Sequence, residues 1–222
     1  MFKIKICGIT NVEDGCATAE SGADAIGLNF YRASSRYVSP AVATEISQAL
    51  PSAVKRVGVF VNSSLTEIRQ IAEQVGLDYI QLHGDEPVEF IKELSKHQVV
   101  RAIRCQNQDD DSVLQALSSL DTVASEVAGV LLDAFTPGQF GGTGKQLDWR
   151  RVSELIQAWQ GQKLILAGGL TAENVAEAIE LARPFGVDTA SGVEVTPGRK
   201  DPQRVSAFVT AAKNAFDSTK SP

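Results

Sequence analysis

Three glycine clusters and a few titratable side chains are the residues on which chemistry could rest. The clusters are "FGGTGK" (140–145), "AGGL" (167–170) and "SGVE" (191–194). Glycines at such points let backbone N–H groups approach an anion, and a helix N-terminus beyond them adds a favourable dipole. A single pair is most simply a tight turn. Three clusters, each following an apolar run, point instead to a phosphate. Asp133 ends "GVLLD", a run too apolar to welcome a charge, so it is either a solvated residue before a turn or a site carboxyl. Cys7 ends "KIKIC", where alternation with period two places Lys3, Lys5 and Cys7 on one face and Ile4 and Ile6 on the other. A free cysteine is often just a small buried hydrophobe. That reading suits Cys16, which falls with Val12 and Ala19 in the first helix, and Cys105.

His83, in "QLHGDE", is open to three readings: ligand, base or satisfied histidine. With His97 as the other histidine of the chain, a histidine-rich metal site is not expected. Arg36, in "YRASSRYVSP", is most simply a solvated charge. The sharper reading is a clamp for a substrate carboxylate, which a planar guanidinium suits.

Positioning these groups falls to a regular alternation. Short apolar runs recur as "FKIKIC", "AIGLNF", "RVGVFV", "YIQLH", "VVRAIR", "GVLLD", "KLILAG" and "GVDTAS". Segments with helical spacing lie between them. Thr10 with Glu13, and Ser64 with Glu67, have the form of capping boxes. The second precedes a stripe of Leu65, Ile68, Ile71, Ala72 and Val75. Pro40, Pro87 and Pro202 are placed as prolines at a first helical position. Further stripes are Val152, Leu155, Ile156 and Trp159; Val175, Ile179 and Ala182; and Val205, Phe208, Val209, Ala212 and Phe216.

Eight strand–helix units of roughly 28 residues each fit the 222-residue chain, the number that a closed (β/α)8 barrel needs. An open doubly wound sheet normally uses fewer units and a fingerprint after its first strand, and "CGITNVEDG" is not G-x-G-x-x-G. The expectation is an α/β protein with one barrel domain over 1–222, loose only in "DSTKSP" from 217. Its site then lies where strand C-termini meet the following loops. That narrows the search to Cys7, Asn29, Phe30, Asn62, His83, Arg104, Asp133, Gly168, Gly169, Ser191 and Gly192.

Composition limits the partners. A hydrophobic content of 43% suits a chain with a real core. A net charge of -6 argues against nucleic acid or an anionic membrane as a partner. Three irregularly spaced cysteines suggest neither a disulfide framework nor a zinc site and fit a reducing compartment. The N-terminus, interrupted by Lys3 and Lys5, has no signal-peptide core. "VAGVLL" is far too short to span a bilayer. A cytoplasmic monomer acting on a small phosphorylated molecule is expected.

The residues also resemble a known family. "KICGIT" (5–10), "QLHGDE" (81–86), "LLDAFTPGQFGGTGKQLDW" (131–149), "LAGGLTAENV" (166–175) and "SGVEVTPGRKD" (191–201) are similar, in order and over essentially the whole chain, to phosphoribosylanthranilate isomerase of tryptophan biosynthesis. One departure is Ala190, where that family more often carries serine. The resemblance implies a phosphate-binding (β/α)8 barrel that performs an Amadori rearrangement of N-(5-phosphoribosyl)anthranilate without metal or organic cofactor. It implies Cys7 as general base and Asp133 as general acid. It places the phosphate at the loops around Gly142, Gly144, Gly169, Ser191 and Gly192, Arg36 at the anthranilate carboxylate, and His83 near the substrate.

Those roles invert the ordinary order of acidity. Cysteine titrates near ~8.5 and aspartate near ~3.9, so holding a thiolate beside a carboxylic acid takes roughly 6 kcal/mol at ~1.36 per unit. Desolvation would raise Asp133, and the helix starting near Thr10 would lower Cys7. Other readings are a second sugar-phosphate isomerase, a regulatory barrel that binds a phosphorylated metabolite, and a flavin-binding barrel. A pair of strand-end aspartates would mark the first, and colour the last. The regulatory barrel needs the glycines but not Cys7 together with Asp133.

Overall fold

The computed structural model describes residues 1–105, 110–133, 149–158 and 163–219. Eight parallel strands close into a barrel in sequence order. They are β1 (Ile4–Cys7), β2 (Ala25–Asn29), β3 (Lys55–Phe60), β4 (Tyr79–Leu82), β5 (Gln98–Arg104), β6 (Val127–Asp133), β7 (Leu164–Ala167) and β8 (Gly186–Thr189). Each apolar run named above is one strand. Closure is made by β1 on β8, in a register that sets Lys5 opposite Asp188 and Ile6 opposite Thr189.

Alternation along each strand divides the core into two layers. Ile4, Ile6, Ile26, Leu28, Ile80 and Leu82 join the layer between barrel and helices. Ala25, Val57, Val100, Leu131 and Ile165 fill the barrel interior. The same parity sends Lys5, Cys7, Gln81, Asp133 and Asp188 inward, so the polar residues of apolar strands meet inside the barrel. Lys3 does not share that face: it precedes β1, and its ammonium lies over the rings of Phe185 and Phe216.

Among the described residues eight α-helices pack outside: α1 (Val12–Glu20), α2 (Pro40–Ala49), α3 (Leu65–Val75), α4 (Glu89–Glu93), α5 (Asp110–Ser119), α6 (Trp149–Ala158), α7 (Val175–Ala182) and α8 (Pro202–Ser218). Ser64 caps α3 by accepting from the Glu67 N–H, and Ile68, Ile71, Ala72 and Val75 are buried as their spacing requires. Pro40 and Pro202 open α2 and α8 behind the caps Ser39 and Asp201. The stripes of α7 and α8 are buried, as are Val152 and Leu155 of α6. Trp159 and the side chain of Ile156 lie outside the described residues.

Four local expectations are corrected. α1 is capped by Asn11, whose side chain accepts from the Asp14 N–H at 2.8 Å, and not by Thr10, whose hydroxyl donates to Gly198 O at 2.6 Å. α1 buries Asp14, Gly15 and Thr18, which leaves Cys16 half-buried and Val12 exposed. Pro87 lies ahead of the cap residue Val88 and outside the first turn of α4. Asp217 and Ser218 belong to α8, so the chain is not loose from 217; residues 220–222 lie outside the described ones. No helix among the described residues is long and apolar enough to cross a membrane.

Candidate active site

Cys7 ends β1 because Gly8 adopts φ 77°, a left-handed conformation that favours glycine. Two glycines make room here. A Cβ on Gly8 would lie 2.6 Å from Cδ of Arg36. One on Gly27, which faces Cys7 across the β1–β2 register, would lie 2.6 Å from the sulfur. The half-buried thiol is pushed up by desolvation, against the pull of Lys5 and Lys200. The anticipated lowering by the α1 dipole does not prevail: burial outweighs the cations.

Beneath Cys7, Lys5 is fully buried with its Nζ 2.8 Å from Asp188 Oδ2. Burial alone would lower Lys5, but Asp188 and then Cys7 raise it, so the ammonium persists. Asp188 is raised by burial, against the attraction of Lys5. Acidity of both neighbours is thus suppressed around one persistent cation.

Asp133 ends β6 with its side chain a quarter exposed, and His83 Nε2 lies 3.3 Å from its Oδ2. His83 Nδ1 is 2.9 Å from the Gln81 amide nitrogen. A neutral imidazole protonated at Nε2 satisfies both contacts, accepting from Gln81 and donating to Asp133. The loop carrying His83 is held by buried Glu86, which accepts from Asn62 N–H (2.7 Å), Gly84 N–H (3.0 Å) and Arg101 Nη1 (2.9 Å). Arg104 donates to His83 O at 2.8 Å. His83 is therefore a half-buried neighbour of the carboxyl, held by contacts at both ring nitrogens.

Arg36 is not a solvated surface charge. Its Nε and Nη2 donate to the two oxygens of Glu194 at 2.9 and 2.7 Å, and Nη1 has no partner among the described residues. Glu194 also accepts from Lys200 Nζ (2.9 Å) and Gly198 N–H (3.1 Å). Burial would raise Glu194, yet Arg36 and Lys200 hold it below the usual carboxylate range. Lys200 is lowered by burial, with Glu194 opposing. Both lie on a hairpin after β8, formed by β9 (Glu194–Thr196) and β10 (Arg199–Lys200). Lys200 Nζ reaches Cys7 O (2.6 Å) and Ala190 O (3.1 Å), which stitches the end of β1 to the loop after β8.

The glycine loops after β7 and β8 lie against each other. Gly168 and Gly169 have φ 89° and 69°. Asn174 donates to Gly169 O at 3.0 Å and accepts from Thr171 N–H at 2.8 Å. Thr189 Oγ1 donates to Leu170 O at 2.7 Å, and a Cβ on Gly192 would collide with that same carbonyl. Ser191 and Gly192 begin a single turn of 3₁₀ helix. Gly142 and Gly144 lie outside the described residues.

Sequence reasoning reached Cys7, Arg36, His83, Asp133 and the two described glycine loops. It passed over Lys5, Gln81, Asp188, Glu194 and Lys200. For Lys5, Gln81 and Asp188 the available signal was a charge or amide within an otherwise apolar strand ("IKIC", "YIQL", "GVDT").

Fold and site together define a class, the (β/α)8 barrel enzymes whose reactive groups stand at strand C-termini. Comparison with known proteins narrows it. The family model for N-(5'-phosphoribosyl)anthranilate (PRA) isomerase matches residues 4–211. The N-(5'-phosphoribosyl)anthranilate isomerase of Thermotoga neapolitana is 48% identical over 214 residues, covering 96% of this chain and 99% of its own. That of Trichlorobacter lovleyi is 42% identical over 217 residues, covering 97% and 100%. The crystal structure of phosphoribosyl anthranilate isomerase from Thermotoga maritima superposes with a TM-score of 0.86 at 42% identity, covering 96% of this chain and all of that one. A second structure, in complex with reduced 1-(o-carboxyphenylamino)-1-deoxyribulose 5-phosphate, gives 0.82 at 40% identity over the same shares. The chain belongs to the phosphoribosylanthranilate isomerase family.

Proposed function

We propose that this protein converts N-(5-phosphoribosyl)anthranilate into 1-(2-carboxyphenylamino)-1-deoxyribulose 5-phosphate, an Amadori rearrangement in tryptophan biosynthesis. Asp133 gives its proton to the furanose ring oxygen as the C1–O bond breaks, and the anthranilate nitrogen lone pair forms the iminium. Cys7, as thiolate, takes the proton from C2, and the C–H electrons move toward the iminium to give the enolamine. Loss of the C2 hydroxyl proton and protonation of C1 then yield the ketone. General acid–base assistance of this kind is worth about 10²–10⁴-fold for a well-placed group.

The observation that carries this reading is the inward placement of a thiol and a carboxyl at the C-terminal ends of β1 and β6, each beside its own polar support. Lys5 and Lys200 attend the first; His83 attends the second. The loops at Gly169, Ser191 and Gly192, together with Gly142 and Gly144, hold the phosphate. Arg36 meets the anthranilate carboxylate through Nη1, the fork nitrogen that Glu194 leaves unused. A regulatory barrel explains the glycines but leaves the thiol and carboxyl idle.

The same reading places a monomer in the cytoplasm. The exposed large apolar side chains among the described residues, Val12, Tyr31, Leu114 and Val195, sit on separate elements rather than one helix or strand face. A relative from Thermotoga maritima is described as dimeric, so sedimentation of this chain decides the point. The activity itself is tested by mixing the purified protein with phosphoribosylanthranilate and following substrate fluorescence. A protein-dependent loss, with the ketose product in the mixture, supports the reading; unchanged fluorescence overturns it.

A further inference from the structure

Asp188 is a carboxyl that the reaction scheme does not use, yet it lies at the centre of the barrel's polar residues. It is 7% exposed, and its Oδ1 has no hydrogen-bond partner among the described residues. Its Oδ2 is 2.8 Å from Lys5 Nζ, close enough for an ion pair but without the alignment of a hydrogen bond. A buried carboxylate with one oxygen bare is costly, because the charged form is the one that needs donors. Protonation removes that cost. Two residues along the same inward face of β1 stands Cys7, whose thiol interacts electrostatically with the Lys5 ammonium.

We propose that Lys5 and Asp188 form a one-proton relay with Cys7: Asp188 takes up, by way of the Lys5 ammonium, the proton that Cys7 releases. Lys5 gives an N–H proton to Asp188 and receives the thiol proton, so the S–H bond breaks, an O–H bond forms and the ammonium is unchanged. The interior holds one positive and one negative charge before and after. Only the site of the negative charge moves, from oxygen to sulfur. Thiolate thus forms without exporting a proton to solvent and without leaving a bare charge in a dry interior. The inference rests on Cys7 being the base, and it supplies the means by which a buried thiol becomes one.

The surroundings bias this exchange without replacing it. Lys200 on β10 and Arg36 after β2 are the further cations near the thiol, and both are held by Glu194 of β9. Asp188 also faces Asp133 at the end of β6, whose charged form disfavours its own charge, and lies near the neutral His83 after β4.

The test is the rate at which iodoacetamide alkylates Cys7 in the full-length protein, followed by mass spectrometry of the Cys7 peptide against pH. A proton shared inside the protein gives a thiolate fraction that does not depend on pH. Wild type should therefore keep a level floor of reactivity across the neutral range, below the steep rise at alkaline pH. Asp188→Asn removes the internal acceptor: the floor disappears, the rate falls tenfold per unit down the whole range, and the rise moves to lower pH. Lys5→Met loses the floor too, but its rise moves up by about one unit or more, since an opposing charge shifts a neighbour by ~1–3 units. The Lys5→Met/Asp188→Asn pair restores interior neutrality and keeps the test open if Lys5→Met fails to fold; it should show no floor. A floor that survives in Asp188→Asn or the double variant, a wild type without one, or shifts in the same direction for both single variants, overturns the relay. Turnover by Cys7→Ala would instead strike the assignment of the base and leave the alkylation result standing.

Discussion

His83 Nε2 lies 3.3 Å from Oδ2 of Asp133, with the opposite ring nitrogen held by Gln81. A neutral imidazole in that position can donate to the carboxylate that the proposed proton transfer leaves. His83→Ala should lower kcat by about tenfold to a hundredfold, the worth of one hydrogen bond to a charged group. Gln81→Leu, which frees the ring to change tautomer, should act in the same direction and less strongly. A rise in KM at constant kcat for His83→Ala would contradict this role.

Arg36 is held by Glu194 on one edge of its fork and open on the other. Arg36→Ala should therefore raise KM with kcat less affected. Arg36→Lys should fail to rescue it, since one ammonium cannot meet Glu194 and a substrate carboxylate with the same planar geometry. Steady-state kinetics on both variants checks this, and full recovery by lysine would refute it.

Glu194 carries a stability prediction with a definite sign. Its folded-state acidity is increased, so its contribution is complete above the unfolded carboxylate value (~4.3) and is lost as pH falls through the lower folded value. Glu194→Gln strands Arg36 and Lys200 and should cost about 3 kcal/mol at pH 7. Thermal melts of the two proteins should converge as pH falls below about 4. A gap that stays constant with pH would mean that charge is not the cause.

Desolvation of Cys7 makes a prediction for the pH profile. In the proposed mechanism the working form pairs a thiolate with a carboxylic acid, so its share is level between the two apparent pKa values and declines above the higher. Burial raises Cys7, so the alkaline limb of kcat/KM should fall above the ordinary thiol value of ~8.5. A limb below that value would point to a solvated or cation-dominated thiol.

The strands and helices were legible because a parallel barrel leaves its mark locally. Every strand is a short apolar run, and caps such as Ser39, Ser64 and Asp201 precede their helices. Cys7, His83 and Asp133 were legible as candidates for the related reason that barrel chemistry sits at strand ends, and all three do stand at or just beyond the ends of β1, β4 and β6. What stayed hidden depends on closure. Lys5 reads as one more lysine until β1 pairs with β8 and sets Asp188 across from it. Arg36 reads as solvent-facing until the β9–β10 hairpin folds back and delivers Glu194. Thr10 yields its capping role to Asn11 because that hairpin claims the threonine hydroxyl through Gly198. These three misses are contacts between the beginning of the chain and its end.

The central claim is that sulfur removes one proton and a carboxyl donates another. The most direct measurement pairs turnover with binding in Cys7→Ala and Asp133→Asn: kcat from substrate fluorescence, and Kd for a reduced product analogue by calorimetry. Each variant should lose about 10²-fold or more in kcat while its Kd stays near that of the parent. Substantial turnover in either variant, or a loss explained wholly by weakened binding, would contradict the account.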